Sequence, residues 1–255
     1  MVVRPGKVRV AAARFGKRPN SGRPVTALSI VIPTLNEATG IVDALGALAK
    51  LRADGVEVIV ADGGSQDRTA ELARPLCDHV IVAPLGRGAQ MNAGAQVATA
   101  GVLLFLHADT HLPEGADQLI INGLAASKRA WGRFDVTIAG RSALLPVIAT
   151  LMNWRSRLTG IATGDQAVFV ARQAFVDVGG FPDVPLMEDI IVSRRLRQIS
   201  PPLCLSARVI TSGRRWDERG PLRTILLMWR LRAAHFLGAD PHALARAYGY
   251  VPREP

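Results

Sequence analysis

The sequence predicts an α/β fold, a mainly parallel central sheet flanked by helices, on three observations. Short β-branched runs alternate with stretches of helical periodicity. Three of these runs, residues 28–32, 56–61 and 102–106, are largely apolar, as strands buried on both faces are. Each run then stops abruptly at polar residues: Pro33-Thr34-Leu35-Asn36-Glu37, Asp62-Gly63-Gly64-Ser65 and His107-Ala108-Asp109-Thr110. Open α/β sheets bind ligands just beyond the carboxyl ends of their strands, so three strand ends converge on one chemistry.

The elements follow in order. Residues 28–32 make the first strand. Ile41, Leu45, Leu48 and Leu51 recur at helical spacing and predict one helix, its start favoured by Asn36 and Thr39. Residues 56–61 make the second strand, and a Gly-rich turn leads to a short helix over Thr69–Ala73. A third strand at 80–82 precedes a helix at 90–98, whose small residues let it pack closely on the sheet. The fourth and most central strand is 102–106. Beyond Asp109 the spacing predicts a helix over 115–126, a strand over 134–138 and a long apolar helix over 142–158. A short strand at 168–170 and a helix over 189–198 complete the pattern.

With 255 residues and 49% hydrophobic content, the chain can bury one large core with a small appendage. The net charge of +10 is uneven: residues 1–24 hold seven Lys or Arg and no acid, interleaved with Pro and Gly, which predicts a disordered basic tail. A catalytic domain over 25–216 and an amphipathic helical extension over 217–255 follow. Residues 8–13 are too short an apolar run for a signal peptide and are broken by Arg9, and two cysteines make no disulfide framework. A cytoplasmic protein is expected. No run reaches the length of a membrane span. Residues 143–154 come near, as do 221–237, where Arg223, Arg230 and Arg232 stand among Ile225, Leu226, Leu227, Met228, Trp229 and Phe236. That last segment reads either as a helix lying on anionic lipid at the inner face of the cell membrane or as one packed on the domain or on a second copy of the chain. The basic charge lacks an aromatic-interleaved patch or reader motif, so no nucleic-acid partner is expected.

The strand ends carry neither Gly-x-Gly-x-x-Gly nor a Gly-rich loop closing on Lys-Ser or Lys-Thr, which excludes the common dinucleotide and triphosphate cradles. Thr34, Asn36 and Glu37 offer short polar groups suited to a base or ribose, and Asn36 and Glu37 also suit a helix start. Asp62 with Gly63 can accept a hydrogen bond from a base N–H while the backbone approaches closely, or belong to an ordinary strand-to-helix loop. Arg87, just before the helix carrying Asn92, can pair with a phosphate. Asp109 can hold a divalent cation against a diphosphate, because Mg²⁺ and Mn²⁺ take oxygen ligands and leave positions for phosphate; His107 can add a nitrogen or simply pack. Adjacent carboxylates at Glu188 and Asp189 are not expected to face one point on a regular helix, so either one acts on substrate while the other is structural, or both simply stabilise the start of the helix. A carboxylate ionised at neutral pH can take a proton from a hydroxyl held against it. Arg214-Arg215-Trp216 reads as a Gly-flanked loop suited to closing over a diphosphate.

Taken in order, Pro33-Thr34-Leu35-Asn36-Glu37, Asp62-Gly63-Gly64-Ser65-Gln66-Asp67-Arg68-Thr69, Arg87-Gly88 with Asn92, Leu106-His107-Ala108-Asp109 and Glu188-Asp189 resemble glycosyltransferase family 2 over residues 28–216. The likeness is nearest to a bacterial subgroup whose metal motif reads Leu-His-Ala-Asp-Thr. It implies a GT-A fold with a helical C-terminal extension, a nucleotide-sugar donor (a UDP-sugar favoured over a GDP-sugar), Mn²⁺ or Mg²⁺, and inversion at the sugar carbon. By the same likeness Pro33, Thr34, Asn36, Glu37, Asp62, Gly63, Arg87, Asn92, Ala108, Asp109, Glu188, Arg214, Arg215 and Trp216 would surround the donor. Asp109 would meet the metal, with His107 a further candidate, and Asp189 would be the base. Two departures stand out. The family's Asp-x-Asp reads His107-Ala108-Asp109 here, and Ser212 replaces the Gln of the processive Gln-x-x-Arg-Trp motif, so one sugar per encounter is expected. The acceptor is not specified, though the apolar second half suits a lipid-linked one. The rival expectation is an inactive protein of the same fold that binds nucleotide or an anionic membrane surface.

Overall fold

In the computed structural model, residues 27–250 are described, and the tail expected over 1–24 lies outside them. The chain runs β1 (Leu28–Thr34), α1 (Ile41–Gly46), α2 (Ala49–Ala53), β2 (Glu57–Asp62), α3 (Thr69–Ala73), β3 (His79–Val82), α4 (Arg87–Val97) and β4 (Val102–Phe105). It continues through β5 (Thr110–His111), α5 (Ala116–Ser127), β6 (Trp131–Ala139), α6 (Leu145–Thr159), β7 (Val168–Ala171), α7 (Arg172–Asp177) and α8 (Glu188–Leu196). The last elements are β8 (Leu203–Ser212), α9 (Arg214–Arg219), α10 (Pro221–Phe236) and α11 (Pro241–Tyr248).

The strands form one sheet in the order β3-β2-β1-β4-β7-β6-β8-β5. β1, β2, β3 and β4 are mutually parallel, while β7 runs antiparallel to β4 and to β6. The period of two along β1 splits the core: Leu28, Ile30 and Ile32 face α1, α5 and α6, and Val31 faces α4, α7 and α8. β4 sits mid-sheet with both neighbours paired, as its apolar run predicts. The close approach expected of the small-residue helix is realised at Gly94, where a Cβ would stand 2.3 Å from Val31 Cγ1. A third, smaller core joins Leu186, Met187 and Ile190 to Leu231 of α10 and to Leu244 and Ala245 of α11, so the C-terminal helices pack on the start of α8.

Four expectations change in detail. The helix over 41–51 is two: Leu48 N–H bonds to Leu45 O, a tighter turn that breaks the axis after Gly46. β8 is long yet unforeseen, because its register against β6 shifts between Phe134 and Asp135 and the alternation reverses midway. Arg214-Arg215-Trp216 begins a helix rather than lying in a loop. That helix also spans residue 216, so the extension continues from the sheet domain without a break. Among the described residues no helix is long and apolar enough to cross a membrane.

Candidate active site

The site begins where β1, β2 and β4 stop. β1 and β2 end in register at Thr34 and Asp62, and two bonds carry the ladder past the strand ends, Gly63 N–H to Thr34 O at 2.9 Å and Leu106 N–H to Val31 O at 3.0 Å. Gln90, which the sequence reading missed, clamps this edge from α4. Its Nε2 donates to Thr34 O at 2.7 Å and to Ala61 O at 2.9 Å. Beside the clamp opens a cleft of about 1260 Å³ that extends to α6, α8, α9 and α10.

Twelve of the sixteen residues named from sequence line this cleft: Pro33, Thr34, Glu37, Arg87, His107, Ala108, Asp109, Glu188, Asp189, Arg214, Arg215 and Trp216. Asn36, Asp62, Gly63 and Asn92 do not. Asp62 is buried and its carboxylate is taken up by its own loop, accepting from Gly64 N–H, Ser65 N–H, Ser65 Oγ and Thr34 Oγ1. Asn36, in a left-handed conformation with φ 54°, accepts from Gln66 N–H across the same loop. Asn92 holds the turn before α8 by pairing with both backbone groups of Phe181. These residues build the loops that carry the cleft. The sequence alone does not show this loop-building use, since turns and ligand-binding positions both favour Asn, Asp and Gly.

At the β4 exit Asp109 is exposed to the cleft, and its carbonyl accepts from Ser212 N–H at 3.1 Å, which ties β4 to the end of β8. Glu37 lies close by: burial raises its carboxyl above the ordinary value, Arg214 opposes this, and Asp109 adds to it. Arg87 and Arg214 therefore share one field with two acids. The His107 ring packs against Gly164, and its Nδ1 lies 3.5 Å from the Asp165 carboxylate. Burial raises the Asp165 carboxyl, but the His107 hydrogen bond and charge, together with the charges of Arg87 and Arg215, hold the group below its ordinary value. Arg215 stacks 4.2 Å from the Tyr248 ring centre and Arg87 5.1 Å from that of Tyr250, so the end of α11 fixes two cleft guanidiniums through cation–π contact. Neither tyrosine carries a signal in the sequence, because only the docking of α10 and α11 brings them here.

The second acidic pair opens α8. Met187 takes the left-handed region at φ 72° with its side chain buried, and the first turn of α8 follows directly. Contrary to the expectation from a regular helix, Glu188 and Asp189 both line the cleft, because the cleft wraps around the start of α8. Asp189 is held by Gly164 N–H, which donates to Oδ2 at 3.0 Å, while Oδ1 accepts from Ile190 N–H at 2.7 Å. Burial pushes Glu188 up to about 7, Asp189 adds to the shift, and Arg87 opposes it. The native state thus keeps a proton that the unfolded chain releases. This contribution to stability is fully present below pH 4.5 and is lost as pH rises through about 7. Glu188→Gln is therefore expected to melt progressively higher than the parent between these two pH values. A constant difference in melting temperature across that window would contradict the placement of Glu188.

The model of the family described as Glycosyl transferase family 2 matches residues 29–175, more than half of the chain. This protein belongs to glycosyl transferase family 2. Among curated relatives, a PGL/p-HBAD biosynthesis glycosyltransferase of Mycobacterium tuberculosis is 37% identical over 98 residues, 36% of this chain and 38% of that protein. A validoxylamine A glucosyltransferase of Streptomyces hygroscopicus is 36% identical over 97 residues, 34% of this chain and 23% of that protein. The matches thus span well under half the length of these relatives. Among solved structures, S. aureus TarS 1-349 aligns with a TM-score of 0.59 at 19% identity over 73% of this chain and 60% of that one. The mannosyltransferase PcManGT of Pyrobaculum calidifontis, solved with GDP-Man and Mn²⁺, aligns with a TM-score of 0.58 at 20% identity over 88% and 66%. The chain shares the fold of those neighbours, the GT-A fold.

The chemistry at Asp109 is compatible with a divalent ion. Among the described residues no cluster of three or more His, Cys, Asp or Glu side chains is arranged to hold a metal. An ion bound by one carboxylate, with phosphate oxygens and water completing its shell, needs no such cluster. The exposed hard oxygens of Asp109, with Glu37 beside it, fit that donor set.

Proposed function

We propose that this family 2 enzyme is an inverting, non-processive glycosyltransferase that moves a sugar from a nucleoside diphosphate to an acceptor hydroxyl in the cytoplasm. The observation that carries the reading is that Asp109, Arg87 and Arg214 at the strand ends share one cleft with Asp189 at the start of α8. The donor's diphosphate lies against the first group and the acceptor hydroxyl against Asp189. The acceptor oxygen attacks the anomeric carbon as the bond from that carbon to the diphosphate oxygen breaks, and the hydroxyl proton passes to the Asp189 carboxylate. Arg87, Arg214 and Arg215 receive the negative charge that builds on the departing diphosphate. A Mn²⁺ or Mg²⁺ ion held by Asp109, with His107 a weaker candidate because its ring is packed on Gly164, supplies further charge neutralisation there.

A UDP-sugar is the expected donor; the neighbours include TarS, solved with UDP and with UDP-GlcNAc, and PcManGT, solved with GDP-Man. The test is release of nucleoside diphosphate from a panel of UDP- and GDP-sugars, with Mn²⁺, with Mg²⁺ and with chelator. Turnover is expected with a divalent ion and loss of at least about tenfold when the ion is stripped. Equal rates with chelator would remove the metal from the reading, and nucleotide binding without any turnover would favour an inactive binding protein.

A further inference from the structure

Beyond Asp189 the cleft continues between α6 and α10, a part that the donor and base leave without a task. Both helices turn apolar stripes outward at helical spacing: Leu151, Trp154 and Leu158 on α6, and Leu222, Leu226 and Trp229 on α10. Trp154 is 63% and Trp229 66% exposed. All of these but Leu158 also line the cleft, so the stripes form its two banks. The position of α10 is fixed, since its opposite face buries Leu231 in the third core.

Between the banks lie two arginines, Arg155 from α6 and Arg232 from α10. Nε and Nη2 of Arg155 and Nε of Arg232 are buried without a hydrogen-bond partner. Burial lowers Arg155 to about 10, and the neighbouring Arg232 charge pushes the same way while Asp189 opposes. Burial lowers Arg232 as well, again opposed by Asp189. Two desolvated cations side by side, with donor groups left open, are costly until an anion joins them. The charge of Asp189 acts on both, and all three residues line the same cleft. Arg87 and Arg214, by contrast, act on Glu37 at the strand ends, so the donor diphosphate has its own cations. Along their lengths α6 and α10 carry five Arg and no acid, which keeps anionic amphiphiles favoured over neutral ones.

We propose that Arg155 and Arg232 form an anion site for a phosphate-bearing lipid whose chain lies between the outward stripes of α6 and α10. This deepens the proposed function, because calling that lipid the acceptor rests on Asp189 being the base; the binding itself does not. The anionic group docks on the two guanidiniums, the apolar chain covers Leu151, Trp154, Leu226 and Trp229, and a hydroxyl of the same molecule reaches Asp189.

The experiment is calorimetric titration of the full chain with dodecyl phosphate, dodecanol and inorganic phosphate, each below its aggregation limit. Dodecyl phosphate is expected to bind at least about tenfold more tightly than either of the others, as charge-assisted hydrogen bonds and apolar burial add. Arg155→Met with Arg232→Met is expected to bring dodecyl phosphate down to the dodecanol level without lowering the melting temperature, since Nε and Nη2 of Arg155 and Nε of Arg232 are buried with no hydrogen-bond partner. If the double variant melts far below the parent, the single Arg232→Met carries the same comparison. Equal affinity for dodecyl phosphate and dodecanol would overturn the anion site, and equal affinity for dodecyl and inorganic phosphate would overturn the apolar banks. Parent-like affinity in the Arg variants would overturn the assignment of residues. A parallel titration with nucleotide sugars separates the two readings: dodecyl phosphate binding without donor binding removes the proposed function and leaves the site standing.

Discussion

Asp189→Asn is expected to slow sugar transfer by about 10²- to 10⁴-fold, the usual contribution of a positioned general base. The substitution keeps shape and one carbonyl oxygen, which can accept from Gly164 N–H, and gives up the bond that Ile190 N–H makes to the other oxygen. It removes the ability to take a proton. Donor affinity should therefore stay near that of the parent and the loss should fall on kcat, because the cations facing the diphosphate, Arg87 and Arg214, are untouched. Titration of the donor into the variant together with steady-state rates makes the comparison. Parent-like kcat would show that the base is another group, and Glu188, also in the cleft, would be the next to substitute.

The second large effect is on stability and lies where β6 meets α6. Asp135 is 8% exposed and sits between two arginines, accepting from Nη1 of the fully buried Arg133 and, at 2.7 Å, from Nη2 of Arg157. Arg133 Nη2 donates to Asn153 O on α6 at 3.1 Å, so the cluster locks β6 to the helix whose far side lines the cleft. Asp135→Ala strands the Arg133 charge in the core and is expected to cost about 3–5 kcal/mol, the range for breaking a buried pair by removing one partner. Arg133→Met in the same chain should recover part of that loss, because an apolar side chain of similar length leaves no unpaired charge. Urea unfolding of the single and double variants measures both. A loss below about 1 kcal/mol for Asp135→Ala, the level of an exposed pair, would mean that water reaches Arg133.

Much of the parallel half was legible because each element there is decided by local pattern. The Gly-rich turn into Thr69–Ala73, the apolar β4 and the small-residue face of α4 need nothing beyond their own residues to be recognised. What stayed hidden depends on partners distant in the chain. β8 reads poorly because a register shift against β6 breaks its alternation, and β5 is two residues long. Asp62 and Asn92 read as donor-binding groups, and what the sequence does not show is that both side chains also tie loops together, Asp62 through Ser65 and Asn92 through Phe181. Arg155, Arg232, Tyr248 and Tyr250 were passed over for the opposite reason. The two arginines and Tyr248 lie on helices whose periodicity explains them as surface or packing residues, Tyr250 follows α11, and their place in the cleft comes from the docking of α10 and α11 on α8.

The most direct test of the central claim, that the strand ends grip a nucleotide sugar through Asp109, is a thermal-melt panel of UDP- and GDP-sugars with and without Mn²⁺. A ligand at about a hundred times its dissociation constant adds about 2.7 kcal/mol to apparent stability, enough to move a melt by several degrees. The account predicts a rise that needs nucleotide sugar and metal together and that disappears in Asp109→Asn. A melt that no nucleotide sugar moves in the presence of Mn²⁺, or one that Asp109→Asn shows in full, would contradict it.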